Sequence, residues 1–400
     1  MKGPLKLIVP LAAALGVAAC SAGGSSNVPS VSGVAGLSAA HVPQWALSHT
    51  IKPACSGSRV GQAQCDVLIQ ASSNVKVHQA YSGWGAPDLE KAYNLPSSSG
   101  GKGQVVGIVD AYDNPDVVSD FNSYRSGMGL PSATLNKYNQ TGQQSNYPQG
   151  SPNWGVEIDL DVDMVSASCP NCKVILVEAN SNAWSDLEAS EAEAIKLGAT
   201  IVSNSYDGTG GSESSYETKG ITYLASSGDG GLGLYDPATF QDVIAVGGTV
   251  LSHNSDKRGY GEVVWPSTGG GCSDTSEPKP SWQKDPSCSF RTGSDIGAIA
   301  SDAAEYDTYN AGGWITVAGT SISSPLVAGM VALAGNSTKQ TGGENLWKLK
   351  KKKLKKDIYP VTVGTDGSCG GSYLCTAGTK QFGIYSGPTG WGTPHGVKEL

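Results

Sequence analysis

From residue 104 onward the chain repeats one pattern: a short apolar run, then a polar stretch or an amphipathic helix. Gln104-Val-Val-Gly-Ile-Val-Asp110, Lys173-Val-Ile-Leu-Val-Glu-Ala179, Thr200-Ile-Val-Ser-Asn-Ser205, Ile221-Thr-Tyr-Leu-Ala-Ser226 and Asp242-Val-Ile-Ala-Val-Gly247 read as strands buried on both faces. Between the second and third, Ser185-Asp186-Leu187-Glu188 predicts a capped helix start, followed by helical spacing to Leu197 and a stop at Gly198. Strands alternating with helices imply an α/β fold with a mostly parallel central sheet flanked by helices. In such sheets a functional site gathers at the carboxyl ends of the strands.

The 400 residues, with 38% apolar and 16% charged side chains, suffice for a real core. A net charge of −8 argues against general nucleic-acid binding, and scarce aromatics do not suggest a polysaccharide platform. Residues 1–20 read as an export signal: a basic start, an apolar stretch from Leu7 to Ala19, then Cys20. Val17-Ala18-Ala19-Cys20 also fits a bacterial lipoprotein box, so plain secretion and lipid anchoring through Cys20 both stay open. The other eight of the nine cysteines fall in close pairs, Cys55 with Cys65, Cys169 with Cys172, Cys272 with Cys288 and Cys369 with Cys375, the pattern of four local disulfides in an exported protein. A redox or metal role for Cys169-Pro-Asn-Cys172 is the alternative. Residues 21–84 read as a linker followed by a short pro-segment or N-terminal wrap, and 85–400 as a single domain, expected to be a monomer outside the cytoplasm.

Gly319-Thr320-Ser321-Ile322-Ser323-Ser324-Pro325 opens the apolar run Leu326–Gly335, so a hydroxyl stands where a turn meets a helix N-terminus. Unpaired N–H groups and the helix dipole ease negative charge there, although a plain helix cap has the same appearance. Trp154 to Val165 is expected to be helical, which puts Glu157 and Asp161 one turn apart on one face; two acids facing a cleft at that spacing share a proton, and one can then serve as base toward a serine. Asp159 and Asp163 are expected to face solvent. Asp229, in Ser226-Ser227-Gly228-Asp229-Gly230-Gly231, follows a strand and is a candidate protonated donor to an oxyanion, against the plain reading of a Gly-Asp-Gly turn. Of the histidines at 41, 49, 78, 253 and 395, only His253 lies between the first strand and Ser321, in a polar loop, which argues against a Ser-His-Asp hydrolase.

Together Ile108-Val109-Asp110-Ala111-Tyr112-Asp113-Asn114-Pro115, the Glu157–Asp161 helix, Ser226-Ser227-Gly228-Asp229, Ala245-Val246-Gly247-Gly248-Thr249 and Gly319-Thr320-Ser321 resemble the sedolisins, serine-carboxyl peptidases with a subtilisin-like fold. The resemblance implies an acid-acting endopeptidase in which Ser321 is the nucleophile, Glu157 the base, Asp161 its partner and Asp229 the oxyanion donor. By the same analogy Ser203 to Asp207, including Ser203 and Ser205, and Gly269-Gly270-Gly271 flank a bound peptide. A structural calcium ion near the C-terminus is also implied. Here Asp357 and Ile358 are the candidate ligands, but Pro360 and Ser386 stand where aspartates are expected, so a weak or absent site is expected. That change, and the short loop from Gly208 to Gly220, keep open a catalytically silent surface protein that binds peptides or polymers. The lysine run 348–356 reads as a solvated helix or loop, with anionic lipid or cell-wall polymer as the sharper alternative.

Overall fold

The computed structural model describes residues 51–55, 61–70, 80–275, 277–335 and 342–400. The export signal, Cys20 and the tether therefore lie outside the described residues. An N-terminal segment carries strands β1 (Ile51–Pro53), β2 (Gln64–Cys65) and β3 (Leu68–Gln70), and the catalytic region opens with helix α1 (Ala86–Tyr93). Then follow β4 (Val105–Ala111), α2 (Val117–Gly127), β5 (Leu135–Asn139), α3 (Pro152–Ser168), β6 (Lys173–Ala179), α4 (Trp184–Lys196), β7 (Ile201–Asn204), β8 (Tyr206–Asp207), β9 (Thr222–Ser226), β10 (Val243–His253) and β11 (Tyr260–Val264). The C-terminal third adds β12 (Ile296–Ile299), β13 (Ser301–Asp307), β14 (Gly313–Ala318), α5 (Thr320–Ala334), α6 (Glu344–Trp347), α7 (Lys351–Asp357), β15 (Ile358–Tyr359) and β16 (Thr393–Pro394).

The central sheet runs β11-β10-β9-β7-β4-β6-β5, with β12 also on β10, and every pairing is parallel except β10 with β11. All five runs read as buried strands are strands of this sheet. β10 continues past Gly247 to His253 because Thr249–His253 pair antiparallel with Tyr260–Val264 as a hairpin. Helices α3 and α5, which pack on each other, contribute Val156, Ile158, Leu160, Val162, Met164 and Val165, and Ile322 with Leu326 through Leu333, to the core. No helix among the described residues is long and apolar enough to cross a membrane.

Two local expectations are corrected. α4 begins at Trp184 with Ala183 as its N-cap, so Ser185 lies inside the helix. The start is held by Ser181, whose Oγ accepts from the Ala183 N–H and donates to Asp186, and by the Trp184 indole donating to Thr209 O. Asp159 and Asp163 do not face solvent. α3 is buried on every side from Trp154 to Ser168, and both carboxyls point toward α2 and β13, where Asp159 accepts from Asn114 Nδ2 at 2.7 Å and Asp163 from the Tyr306 N–H at 3.1 Å.

The four close cysteine pairs are disulfide-bonded: Cys55–Cys65, Cys169–Cys172, Cys272–Cys288 and Cys369–Cys375. In the lysine run, α7 buries Leu354 and Lys353 pairs with Glu399, while Lys348 pairs with Glu344.

Many buried acids titrate high. Burial raises Asp110 and Asp302 to about 8, Glu178 to about 9 and Asp307 to about 6. Above pH 4 the folded chain then holds more protons than the unfolded one, so stability falls as pH rises; each unit of displacement costs about 1.4 kcal/mol once the folded pKa is passed. The thermal midpoint, followed by calorimetry, is expected to be highest near pH 4 and to fall continuously toward pH 9.

Candidate active site

Ser321 lies in the first turn of α5, where Gly319 serves as N-cap at φ +140, a conformation that favours glycine. Its Oγ donates to Glu157 Oε2 at 3.0 Å. Glu157 and Asp161, one turn apart on α3, are both fully buried, and the Asp161 carboxyl is held by Ser205 Oγ at 2.7 Å. Glu157 Oε1 and Asp161 Oδ2 have no hydrogen-bond partner among the described residues, and the neighbouring Glu157 carboxyl works against burial to lower Asp161. Burial pushes Glu157 well above the usual carboxylate range, and the charges of Asp161, Asp110 and Asp66 add to it. Burial likewise raises Asp161, with Asp110 as the second cause.

Asp229, just past β9, is turned toward Ser321 by Thr320: the Thr320 N–H and Oγ donate to Asp229 Oδ1 at 2.8 and 2.9 Å. Its Oδ2 is buried and has no partner among the described residues. Burial raises its pKa strongly, so at acid pH it carries a proton, which Oδ2 can donate. A methyl on Gly319 would meet Oδ2 at 2.7 Å. Ser321, Glu157 and Asp161 are thus brought together from the start of α5 and the middle of α3, and the half-buried Asp229 adjoins them through Thr320 from beyond the end of β9.

The remaining expected residues fall around it. Ser205 touches the cluster through Asp161. Ser203 instead bonds Ser324 Oγ at 2.9 Å beneath the nucleophile helix. Gly269 and Gly270 donate N–H groups to Gly228 O and Gly233 O, both at 2.8 Å, and so brace the loop that carries Asp229. A cavity of about 330 Å³ adjoins this loop, lined by Gln64, Asp207, Ser227, Leu232 and Tyr235 among others. Of the described histidines, His253 packs between Trp84 and Tyr260 and His395 faces Lys356 O, so neither reaches Ser321.

Sequence reasoning missed three participants. Asp110 ends β4 beside Glu157 and Asp161, a position that the carboxyl-end rule marks. Thr320 orients Asp229 from within the same turn as Ser321. Asp66 comes from the N-terminal segment: its carbonyl oxygen accepts the Ser321 N–H at 3.3 Å and lies against the Ser321 hydroxyl oxygen. No motif points to it.

Metal sites divide in two. Asp357 offers one carboxylate at the C-terminal position, while Ser386 is buried with its hydroxyl on Thr389 Oγ1 at 2.9 Å, so the residues there do not fit a two-carboxylate calcium site. Elsewhere, Asp120, Asp159 and Asp307 bring carboxylate oxygens within 4.8 Å of one another, an oxygen-only group that could bind calcium. Asp159 Oδ1 and Asp307 Oδ2 have no hydrogen-bond partner there.

The subtilase family matches residues 142–359, more than half of the chain, and the chain belongs to that family. Kumamolisin of Bacillus sp. (strain MN-32) is 30% identical over 292 residues, 61% of this chain and 51% of that protein. Sedolisin of Pseudomonas sp. (strain 101) is 25% identical over 354 residues, 75% of this chain and 58% of that protein. The chain thus spans just over half the length of these curated relatives. A solved structure of Pseudomonas sedolisin, a serine-carboxyl proteinase complexed with two molecules of pseudo-iodotyrostatin, superposes with a TM-score of 0.64 at 24% identity, covering 80% of this chain and 96% of that one.

Gly319 is where the cluster is tightest, since a side chain there meets Asp229 Oδ2 and the Asp66 carbonyl and also strains the backbone. Gly319→Ala is expected to cost about 2 kcal/mol or more of stability, read as a lowered urea midpoint at pH 4.

Proposed function

We propose that this protein is an exported, acid-acting serine endopeptidase that hydrolyses peptide bonds through Ser321, Glu157, Asp161 and Asp229. The observation that carries the reading is the 3.0 Å hydrogen bond from Ser321 Oγ to Glu157, made inside an acid cluster with no imidazole among the described residues. Glu157, sharing one proton with Asp161, accepts the Ser321 proton as Oγ attacks the substrate carbonyl carbon. The oxygen of the tetrahedral intermediate takes hydrogen bonds from the Ser321 N–H and from protonated Asp229. Glu157 then gives its proton to the leaving nitrogen, and water releases the acyl group by the same steps in reverse. Asp161, held by Ser205, is a positioning residue that takes the shared proton and leaves a Glu157 oxygen free to accept from Ser321.

Two ionisations bound the rate. The Glu157–Asp161 pair must lose one proton to provide a base, and Asp229 must keep its own. Because burial raises all three, activity is expected to follow a bell with its maximum on the acid side and to vanish as Asp229 ionises, measured as the pH–rate profile on casein or a fluorogenic peptide. A neutral or alkaline optimum would refute the assignment. Ser321→Ala and Glu157→Gln are each expected to lower kcat by about 10³-fold or more with the fold retained by circular dichroism, and a peptide aldehyde should be trapped by Ser321 as a hemiacetal.

The disulfides and the relatives support an extracytoplasmic location; whether Cys20 carries lipid is a separate proposal for mass spectrometry of the mature N-terminus. Calcium has no part in the steps above. At Asp120, Asp159 and Asp307 it would replace the protons that neutralise these acids, so the ion is expected to raise the thermal midpoint at pH 7 and to do little at pH 4, and Asp307→Asn should abolish the pH 7 increment.

A further inference from the structure

Residues 348–356 hold seven lysines, of 27 Lys and Arg in a chain whose net charge is −8. All seven are exposed, and among the described residues two of them meet a carboxylate, Lys348 on Glu344 at 2.6 Å and Lys353 on Glu399 at 2.8 Å. Lys350, Lys351, Lys352, Lys355 and Lys356 have no such partner there. Within α7, Lys351 lies one turn from Lys355 and Lys352 one turn from Lys356, a spacing at which like charges repel and weaken a helix. Lys351 and Lys352 also stand at the positive end of the helix dipole. The fold thus concentrates positive charge that it does not itself neutralise.

The run is held in place at both ends. Leu349 packs against the core and Leu354 is buried, so its two apolar side chains face inward. After α7, the Asp357 carbonyl accepts the His395 N–H at 3.0 Å, and Tyr359 is stacked on the His395 ring at 4.3 Å with the Arg258 guanidinium 3.8 Å over it. What remains outward is an ordered cationic surface with no apolar side chain to insert. Before the run, five rings gather although aromatic residues are scarce in the sequence: Trp347 lies 4.7 Å from Tyr385, 5.5 Å from Trp391, 6.0 Å from Trp282 and 6.1 Å from Phe382. Trp282, Trp347, Phe382 and Trp391 are half-buried, and exposed lysines stand beside three of them in sequence, Lys284, Lys348 and Lys380.

We propose that the lysine surface of residues 348–356 docks the protein on an anionic lipid bilayer, at the level of its headgroups. Lipid phosphates supply the negative charge that five of the seven lysines lack within the fold. The rings decide for a membrane over a soluble polyanion: Trp and Phe that are part dry and part wet, set beside lysines, suit the boundary between headgroup and water, whereas a hydrated flexible polymer offers them no such layer. The export signal read in residues 1–20 also carries the chain past a bilayer. Because the chain as a whole is acidic, attraction acts only when this face is turned to the membrane, within a Debye length of about 10 Å at 0.1 M salt, so the contact orients the molecule as well as holding it. Attachment of this kind is reversible and needs no lipid on Cys20.

The test sediments the exported chain, carrying Cys20→Ser so that no attached lipid can hold it, with vesicles of phosphatidylglycerol and phosphatidylcholine at neutral pH and low salt. Binding is expected there, with none to pure phosphatidylcholine and release at about 1 M sodium chloride, where the Debye length is about 3 Å. Changing Lys350, Lys351, Lys352, Lys355 and Lys356 to Gln should lower the partition coefficient by about 10²-fold or more while the circular dichroism and thermal midpoint are retained. Changing the exposed Lys102, Lys173 and Lys219 to Gln, which removes charge elsewhere, should leave binding as it was. Vesicle binding that survives salt or the five-lysine change, uptake of dextran sulfate without uptake of vesicles, or no binding to either overturns the proposal. No turnover enters these readouts, so the docking surface and the peptidase reading stand or fall separately.

Discussion

Protons, in place of cations, neutralise the acids that this fold buries. Asp66, Asp110, Asp159, Asp161, Asp163, Glu157, Glu305 and Asp307 are all nearly or fully inaccessible, and none of them forms an ion pair among the described residues. An ionised carboxylate taken from water into such a site costs several kcal/mol, and a neighbouring one adds repulsion. The chain avoids the cost by leaving the groups neutral. Two interior cations do meet acids, Arg291 on Asp295 at 2.8 Å and Lys137 on Asp113 and Glu178. Fold stability and the ionisation states that the proposed chemistry requires are therefore tied to one variable, the proton activity of the surroundings.

The sheet determines where those groups meet. Asp110 ends β4, Ser205 follows β7, and Asp229 follows β9, all strands that run parallel and finish at one edge. α5 begins at that edge and carries Ser321, while α3 lies across it with Glu157 and Asp161 facing the serine. Thr320 couples two of these contributions directly, because its N–H and hydroxyl both fix Asp229. A shift of α5 would therefore move Ser321 and Asp229 together, which keeps their spacing even if the helix itself adjusts.

Residue order made the strands, the central helices and the four catalytic candidates readable, since each rests on a local pattern: apolar runs, a one-turn acid spacing, a Gly-Thr-Ser before a helix. Tertiary burial was not readable. Asp159 and Asp163 alternate with apolar residues along α3 as solvent-facing acids would, and only the packing of α2 and β13 over that face turns them inward. The cap of α4 failed for a related reason, because Ser181 and Thr209 hold the helix start from outside the four-residue pattern. Asp66 had no local mark at all. Its position depends on β2 adding to β8 and on β3 adding to β14, pairings between segments more than a hundred residues apart.

The same environment explains why a carboxyl, and not an imidazole, can be the proposed base here. A histidine at the place of Glu157 would take a proton from Asp161, Asp110 or Asp66, and the carboxylate so formed would hold it in its charged form. At the acid pH that keeps Asp229 neutral it would be a paired cation with no free lone pair for Ser321. A carboxyl that shares one proton with its neighbour keeps an accepting oxygen at that pH, because coupling spreads the two ionisations apart and leaves the pair singly protonated over a broad range. The acid cluster thus selects the type of base as well as the pH at which it works.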